Sequence, residues 1–122
     1  MSDLVGLDIE DRGTVVLARV TGELDLAGTP RTGESIAEAV QTSARGLVID
    51  FSDLEFIDSS GIAMLFSLAR RLGSRRQELR VVAPPGGAVA RVLRIVDFER
   101  AAPMHGDREE AVAAAAGGGA PA

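Results

Sequence analysis

Short apolar runs alternate with amphipathic stretches along the chain, and no segment repeats. The apolar runs are rich in β-branched residues and predict strands at 4–9, 14–20, 46–51, 79–83 and 101–104. The first two runs flank a polar, Gly-containing turn at 10–13, which predicts a β-hairpin. The continuous apolar run at 46–51 is typical of a central strand covered on both faces. Pro103 restricts the last strand to an edge of the sheet.

Other segments carry apolar residues at the spacing of a helix. The first helix is predicted to begin at 29–30, where a proline suits the first helical position. The strongest helix is predicted at 60–72, with a buried face formed by Ile62, Leu65, Phe66, Ala69 and Leu72. A third apolar stripe spans 89–96. The last helix follows Asp107, which with Glu110 three residues later resembles a capping box.

In chain order the predicted elements are β-β-α-β-α-β-α-β-α. Strands separated by helices predict a mainly parallel sheet, to which the opening hairpin adds one antiparallel strand. The expected fold class is therefore α/β, a single domain with a mixed sheet of four to five strands and about four helices. The pattern alone allows helices on one face of the sheet or on both. We expect the domain to span 1–115, followed by a flexible Ala/Gly-rich tail at 116–122.

The composition excludes several classes of function. The chain has 122 residues and a formal net charge of −5, and its 13 basic residues are all arginine. This acidic balance argues against direct nucleic-acid binding. With no cysteine and one histidine, His105, we expect neither a metal site nor a cofactor. No apolar run reaches the ~20 residues of a membrane span, and the N-terminus is acidic where a signal peptide is basic, so a cytoplasmic protein without a membrane partner is expected.

Catalytic motifs are also missing from the sequence. The chain has no lysine and hence no P-loop. The segment 58–61, Asp-Ser-Ser-Gly, lacks the first glycine of the hydrolase nucleophile elbow. Turn and cap roles account for carboxylate pairs such as Glu23 and Asp25. We therefore expect no enzymatic activity.

The segment 50–61 is the most informative part of the chain, because two serines lie where the strongest helix begins. One interpretation is that Ser59 or Ser60 is the N-cap and accepts a hydrogen bond from an unpaired backbone amide. A second interpretation is regulatory. A phosphate on Ser59 would be tolerated at a helix N-terminus, where the amides and the helix dipole favour an anion. It would nevertheless change the surface that a partner meets.

Three blocks of sequence occur in order along the chain. They are Thr21-Gly22-Glu23-Leu24-Asp25, Leu47-Val48-Ile49-Asp50 and Phe56-Ile57-Asp58-Ser59-Ser60-Gly61-Ile62. Together they resemble the STAS domain, in particular the bacterial anti-sigma-factor antagonists. The similarity extends from about residue 4 to about residue 115. The resemblance implies a small sheet of four or five strands with helices mainly on one face.

The resemblance also implies a function. The unphosphorylated protein would bind an anti-sigma factor, often a serine kinase, and so release the sigma factor. That kinase would phosphorylate the serine directly after the motif aspartate, which is Ser59 here, with Ser60 as the second candidate. Phosphorylation would block rebinding until a serine phosphatase removes the phosphate. The protein itself would be a monomer or a weak dimer.

The resemblance implies a partner-binding surface formed by Glu23, Asp25, Asp58, Ser59, Ser60, Gly61 and Met64. In this surface Asp58 would orient the loop. Met64 is expected on the solvent-facing side of the helix, together with Ser67 and Arg71. A methionine there suits an interface, because its side chain adapts to varied partner surfaces.

Two points leave the choice of partner open. At the start of the first helix, Gly28 and Thr32 stand where the family pattern has a Thr cap and an apolar residue, so the shape of the loop 25–32 is not fixed by the resemblance. A STAS module outside sigma control, such as a scaffold or an accessory subunit of a signalling or transporter complex, is the second hypothesis. The Asp58-Ser59 pair argues against it, because such modules need not keep a phosphate acceptor.

Overall fold

A computed structural model describes residues 4–117 of the chain. The strands are β1 (Val5–Arg12), β2 (Val15–Leu24), β3 (Gly46–Asp50), β4 (Leu54–Ile57), β5 (Glu78–Val82) and β6 (Met104–His105). The helices are α1 (Thr29–Ala39), α2 (Ser59–Ser74), α3 (Ala88–Ile95) and α4 (Arg108–Ala115), with a 3-10 turn at Phe98–Arg100. Residues 118–122 of the predicted tail lie outside the described residues, so the domain boundary at 115 stays a prediction.

The strands form one mixed sheet, as predicted for an α/β fold. Its order is β1-β2-β3-β5-β6, and β4 pairs with β2 beyond the end of β3. The opening hairpin is antiparallel, while the other pairs in the sheet are parallel. The predicted hairpin and mainly parallel sheet are therefore confirmed.

Strand β4 is an element that the sequence did not reveal, since no strand was predicted between 51 and 60. Only its end residues, Leu54 and Ile57, are buried, and Glu55 and Phe56 are exposed. Four residues without apolar alternation carry too little signal to predict a strand. The strand forms because β2 extends past β3 and offers free backbone groups, which β4 pairs with.

Helices cover the sheet unequally on its two faces. The larger core joins α1, α2 and α3 to one face through residues such as Ile36, Leu65 and Leu93. Helix α4 packs on the opposite face through Ala111 and Ala115, against a smaller core that also includes Val15, Leu17, Val48 and Val82. The prediction of helices mainly on one face is confirmed. The central strand β3 is buried along its whole length, as its continuous apolar run predicted.

Helix α2 and strand β6 correct two expectations. Leu68 of α2 is buried although it was not assigned to the buried stripe, because α2 packs against α1 as well as the sheet. The predicted edge strand at 101–104 forms two residues, 104–105, since the 3-10 turn and Pro103 precede it. His105 is the second residue of β6, and its ring nitrogens lie 3.1 Å from Arg80 Nη1 and 3.0 Å from Glu110 Oε1.

Within residues 4–117, none of the helices combines the length and the apolar character that crossing a bilayer requires.

Candidate functional site

Two helices begin side by side at the edge where the parallel strands end. Strand β2 ends at Leu24 and β4 ends at Ile57, and these two residues are paired in the sheet. The β2–α1 loop, residues 25–28, therefore lies against the residues that join β4 to α2. The sheet register thus brings together the first and third blocks of the family pattern.

Asp58 is the centre of this junction. Its Oδ1 accepts hydrogen bonds from the backbone amides of Ser60 at 2.9 Å and Gly61 at 3.2 Å. Its Oδ2 accepts from the backbone amide of Leu26 at 3.2 Å. One carboxylate thus caps α2 and also holds the β2–α1 loop, which agrees with the expected orienting role of Asp58.

The expectation that a serine is the N-cap of α2 is wrong. Asp58 is the N-cap, with φ −106° and ψ −173°, and Ser59 and Ser60 are already in the helix. An aspartate satisfies the first amides of a helix as well as a serine does. Neither the Ser59 nor the Ser60 side chain therefore serves as the N-cap.

The two serine hydroxyls have different surroundings. Ser60 Oγ lies 2.5 Å from Asp58 Oδ1 and 3.2 Å from Thr29 Oγ1. A hydroxyl has one proton and a carboxylate only accepts, so Ser60 donates to Asp58 and accepts from Thr29. Ser59 is exposed, and among residues 4–117 its hydroxyl makes no hydrogen bond. The Ser60 hydroxyl is committed to the fold, whereas that of Ser59 is available.

The charge of Asp58 is stabilised by these contacts. The hydrogen bond from the Ser60 hydroxyl lowers the pKa of Asp58 below its ordinary value, and burial acts in the opposite direction. The backbone amides of Gly61, Ser60 and Leu26 lower the pKa further. Asp58 is therefore an anion at neutral pH, directly before Ser59 in the chain.

The β2–α1 loop is held in one conformation from within as well. Asp25 Oδ1 accepts from the amides of Ala27 at 3.1 Å and Gly28 at 3.3 Å. Gly28 is the N-cap of α1 without a side-chain hydrogen bond, and a Cβ there would lie 2.6 Å from Val5 Cγ1. The departure from the family pattern at Gly28 is thus explained by close packing. At the other departure, Thr32 is buried in α1.

Met64 is placed differently from the expectation. It is half-buried and packs against the main core, whereas Ser67 and Arg71 are exposed. Gly33 of α1 makes room for it, since a Cβ there would lie 3.1 Å from Met64 Cγ and Sδ. Met64 lines a groove of about 450 Å³ between α1 and α2 that also reaches Ser60.

The remaining predicted residues lie at the same edge. Glu23 is half-buried near the end of β2, opposite Phe56 of β4. Gly61 is buried in the first turn of α2, where a Cβ would lie 2.7 Å from Ile57 Cγ1. The glycine therefore lets α2 start close to the sheet. The structure places Glu23, Asp25, Asp58, Ser59, Ser60 and Gly61 around one junction and Met64 in the adjoining groove.

One residue of this edge escaped the sequence analysis. Leu26 is 73% exposed at the tip of the β2–α1 loop. The only signal in the sequence is an apolar residue that belongs to no strand or helix, and scattered exposed apolar residues are common. Its contact with Asp58 is visible only in three dimensions.

The chain belongs to the STAS domain family, whose sequence pattern matches residues 7–111. One relative is the anti-sigma-F factor antagonist RsfB of Mycobacterium tuberculosis, which is 26% identical to this chain over 116 residues. The alignment covers 95% of this chain and 93% of RsfB. The crystal structure of an anti-sigma factor antagonist from Mycobacterium paratuberculosis superposes with a TM-score of 0.82 and 27% identity, covering 92% of this chain and 94% of the other. The anti-sigma factor antagonist SpoIIAA in its unphosphorylated form superposes with a TM-score of 0.72 over 93% of this chain and 99% of the other; its 23% identity supports the shared fold alone.

Proposed function

We propose that this protein is an anti-sigma-factor antagonist switched by phosphorylation at Ser59. The unphosphorylated form binds an anti-sigma factor that is a serine kinase, and the sigma factor is released. The kinase transfers the terminal phosphoryl group of ATP to Ser59 Oγ, ADP leaves and the hydroxyl loses its proton. The phosphorylated form no longer binds, and a serine phosphatase restores it. The protein acts in the cytoplasm as a regulator without catalytic activity of its own.

The observation that carries this proposal is the contrast between neighbouring serines. The Ser59 hydroxyl is exposed and makes no hydrogen bond among residues 4–117. The Ser60 hydroxyl is tied to Asp58 and Thr29. Transfer of a phosphoryl group to Ser60 would break two contacts of the fold, whereas transfer to Ser59 breaks none. The names of the relatives supply the regulatory context.

The proposed partner surface consists of Glu23, Asp25, Asp58, Ser59, Ser60 and Met64, and the buried Gly61 supports it by letting α2 start close to the sheet. Asp58 and Asp25 fix the shape of this surface through hydrogen bonds to backbone amides. A surface that is ordered before binding loses little conformational entropy when the partner docks. This supports a direct role of both loops in recognition.

The test is affinity capture from the source cells with three baits: wild type, Ser59→Asp and Ser43→Asp. Ser43 is exposed in the connection from α1 to β3, at the opposite edge of the sheet, so its variant carries the same added charge far from Ser59. Wild type and Ser43→Asp are expected to recover an anti-sigma kinase that Ser59→Asp loses. Equal recovery by all three baits would remove Ser59 as the switch. Recovery of scaffold or transporter subunits without a kinase would support a STAS module outside sigma control instead.

A further inference from the structure

We propose that Leu26 is an apolar anchor of the partner interface and that phosphorylation of Ser59 acts by releasing it, through Asp58. This inference rests on the proposed function, whose regulation it specifies. The partner it fits has an apolar pocket bordered by basic side chains.

Leu26 has the properties of an anchor residue. It is 73% exposed, yet its backbone amide is held by Asp58 Oδ2 at 3.2 Å. The next two amides of its loop are held by Asp25. A large apolar side chain on a fixed backbone can fill a pocket at low entropic cost, and such residues carry much of the binding energy of interfaces.

The charges around Leu26 define the partner. The segments 23–29 and 55–61 contain Glu23, Asp25, Glu55 and Asp58 and no basic residue. An interface with this surface is complementary when the partner presents arginine or lysine around the pocket. A phosphate would add negative charge to an already acidic surface. A basic partner would attract this added charge. Charge repulsion therefore does not explain why phosphorylation would end binding to such a partner.

Release of Leu26 supplies the missing explanation. A phosphate on Ser59 carries about two negative charges and lies one residue from the Asp58 carboxylate. Both anions favour the same amides at the start of α2, those of Ser60 and Gly61, which Asp58 now occupies. Repulsion and competition move the carboxylate, and its other oxygen then no longer holds the Leu26 amide. Leu26 loses its fixed position, and the anchor is lost with it.

The first arm of the test needs no partner. Amide hydrogen exchange is measured by NMR on wild type, Ser59→Asp and Ser43→Asp. The Leu26 amide is expected to exchange about tenfold faster in Ser59→Asp than in wild type, and to be unchanged in Ser43→Asp. An unchanged Leu26 amide in Ser59→Asp, together with loss of partner binding, would overturn the coupling while leaving the proposed function intact.

The second arm measures affinity for the captured partner. Leu26→Ser is expected to weaken binding at least about tenfold, because it truncates an anchor. Ile95→Ser is the matched control, since Ile95 is 76% exposed at the far end of α3 and should leave affinity unchanged. Equal affinity of wild type and Leu26→Ser would overturn the anchor role. Faster exchange of Leu26 in Ser59→Asp with undiminished partner binding would instead refute the phosphoswitch of the proposed function.

Discussion

Two aspartates at the ends of consecutive strands accept the same pair of hydrogen bonds and have different surroundings. Asp50 ends β3, and its Oδ1 accepts from the amide of Ser52 at 2.9 Å and from its hydroxyl at 2.6 Å. Asp58 follows β4, and its Oδ1 accepts from the amide of Ser60 at 2.9 Å and from its hydroxyl at 2.5 Å. In both cases an aspartate accepts from the serine two residues later, so local sequence specifies the same pair of hydrogen bonds twice.

The second oxygen of each carboxylate makes the difference. Asp50 is 2% exposed, and its Oδ2 accepts from Arg108 Nε of α4 at 2.6 Å. The Oδ2 of Asp58 accepts from an uncharged backbone amide, that of Leu26. The charge of Asp50 is neutralised inside the fold, while the hydrogen bonds of Asp58 to residues 4–117 include no cationic partner. Asp50 anchors α4 to the sheet, and Asp58 fixes the conformation of the accessible β2–α1 loop.

The electrostatics of the two sites reflect this contrast. Burial raises the pKa of Asp50, but hydrogen bonds from Ser52 and Arg108 more than compensate, and the pKa lies below its ordinary value. The pKa of Asp58 is also lowered, with the Ser60 hydroxyl as the largest cause. Asp50 depends on an ion pair in addition to its serine, so removal of its carboxylate should affect the fold more strongly.

Substitution of Asp50 should have the largest effect on stability. Asp50→Ala leaves Arg108 without its partner and removes both contacts of Ser52, and a loss of about 3 kcal/mol in the free energy of unfolding is expected. Urea denaturation measures this loss. Asp50→Asn keeps an acceptor for Ser52 and should lose less. Partner binding by the folded protein should be unchanged, and a loss below about 1 kcal/mol in Asp50→Ala would contradict the structural role.

Substitution of Asp58 should destabilise the fold less than substitution of Asp50 does, but it should weaken partner binding more. Asp58→Ala removes the cap of α2 and should lower the free energy of unfolding by less than Asp50→Ala does. It also frees the Leu26 amide, so affinity for the partner should fall at least about tenfold. Asp58→Asn retains an oxygen that can cap and should recover most of the stability. Full affinity in folded Asp58→Ala would show that Asp58 does not order the binding loop.

The paired serines allow a matched comparison of smaller effects. Ser52→Ala and Ser60→Ala each remove one hydroxyl donor from a carboxylate, so each should lose about 1 kcal/mol of stability. Only Ser60→Ala should also weaken partner binding, since only Asp58 contacts the β2–α1 loop. Equal binding by the two variants in a titration with the partner would remove the functional difference between the two aspartates.

The smallest difference is expected in the acid sensitivity of the fold. Both carboxylates have a folded-state pKa below the ordinary 3.8, so each stabilises the fold above that pH and loses its contribution as pH falls through its folded-state pKa. Stability should therefore begin to fall below about pH 4. Asp50→Asn and Asp58→Asn should each reduce this dependence in urea titrations at pH 7 and pH 3. A variant with the pH dependence of wild type would contradict the stabilised charge of the carboxylate that it replaces.

Much of the fold could be predicted because its signals are local. The hairpin, the buried strand β3 and the amphipathic helix α2 each follow from the spacing of apolar residues. The cap at Asp107 also follows, since it accepts from the Glu110 amide, although the Glu110 carboxylate contacts His105 and does not complete the capping box. In contrast, β4 depends on backbone groups left free at the end of β2, and no pattern within four residues reveals them.

The candidate site could be located from the sequence but not understood from it. The block around Ser59 placed the candidate site in this segment, and the choice between Ser59 and Ser60 rested on the family pattern alone. The physical basis for that choice is the hydrogen bond from Ser60 to Asp58 and the contact with Thr29, which is 31 residues away in the chain. The position of the Leu26 backbone and the attachment of α4 through Arg108 likewise depend on contacts between distant segments of the chain. Such contacts exist only once the sheet register is set.

The most direct test of the central claim is to locate the phosphate by mass spectrometry after the captured kinase has acted on the purified protein with ATP. Our account predicts phosphate on Ser59 and none on Ser60, because only the Ser59 hydroxyl is free of the hydrogen bonds that hold the start of α2. Ser59→Ala should then take up no phosphate, while Ser60→Ala should still be phosphorylated. Phosphate on Ser60, or uptake by Ser59→Ala equal to that of wild type, would contradict it.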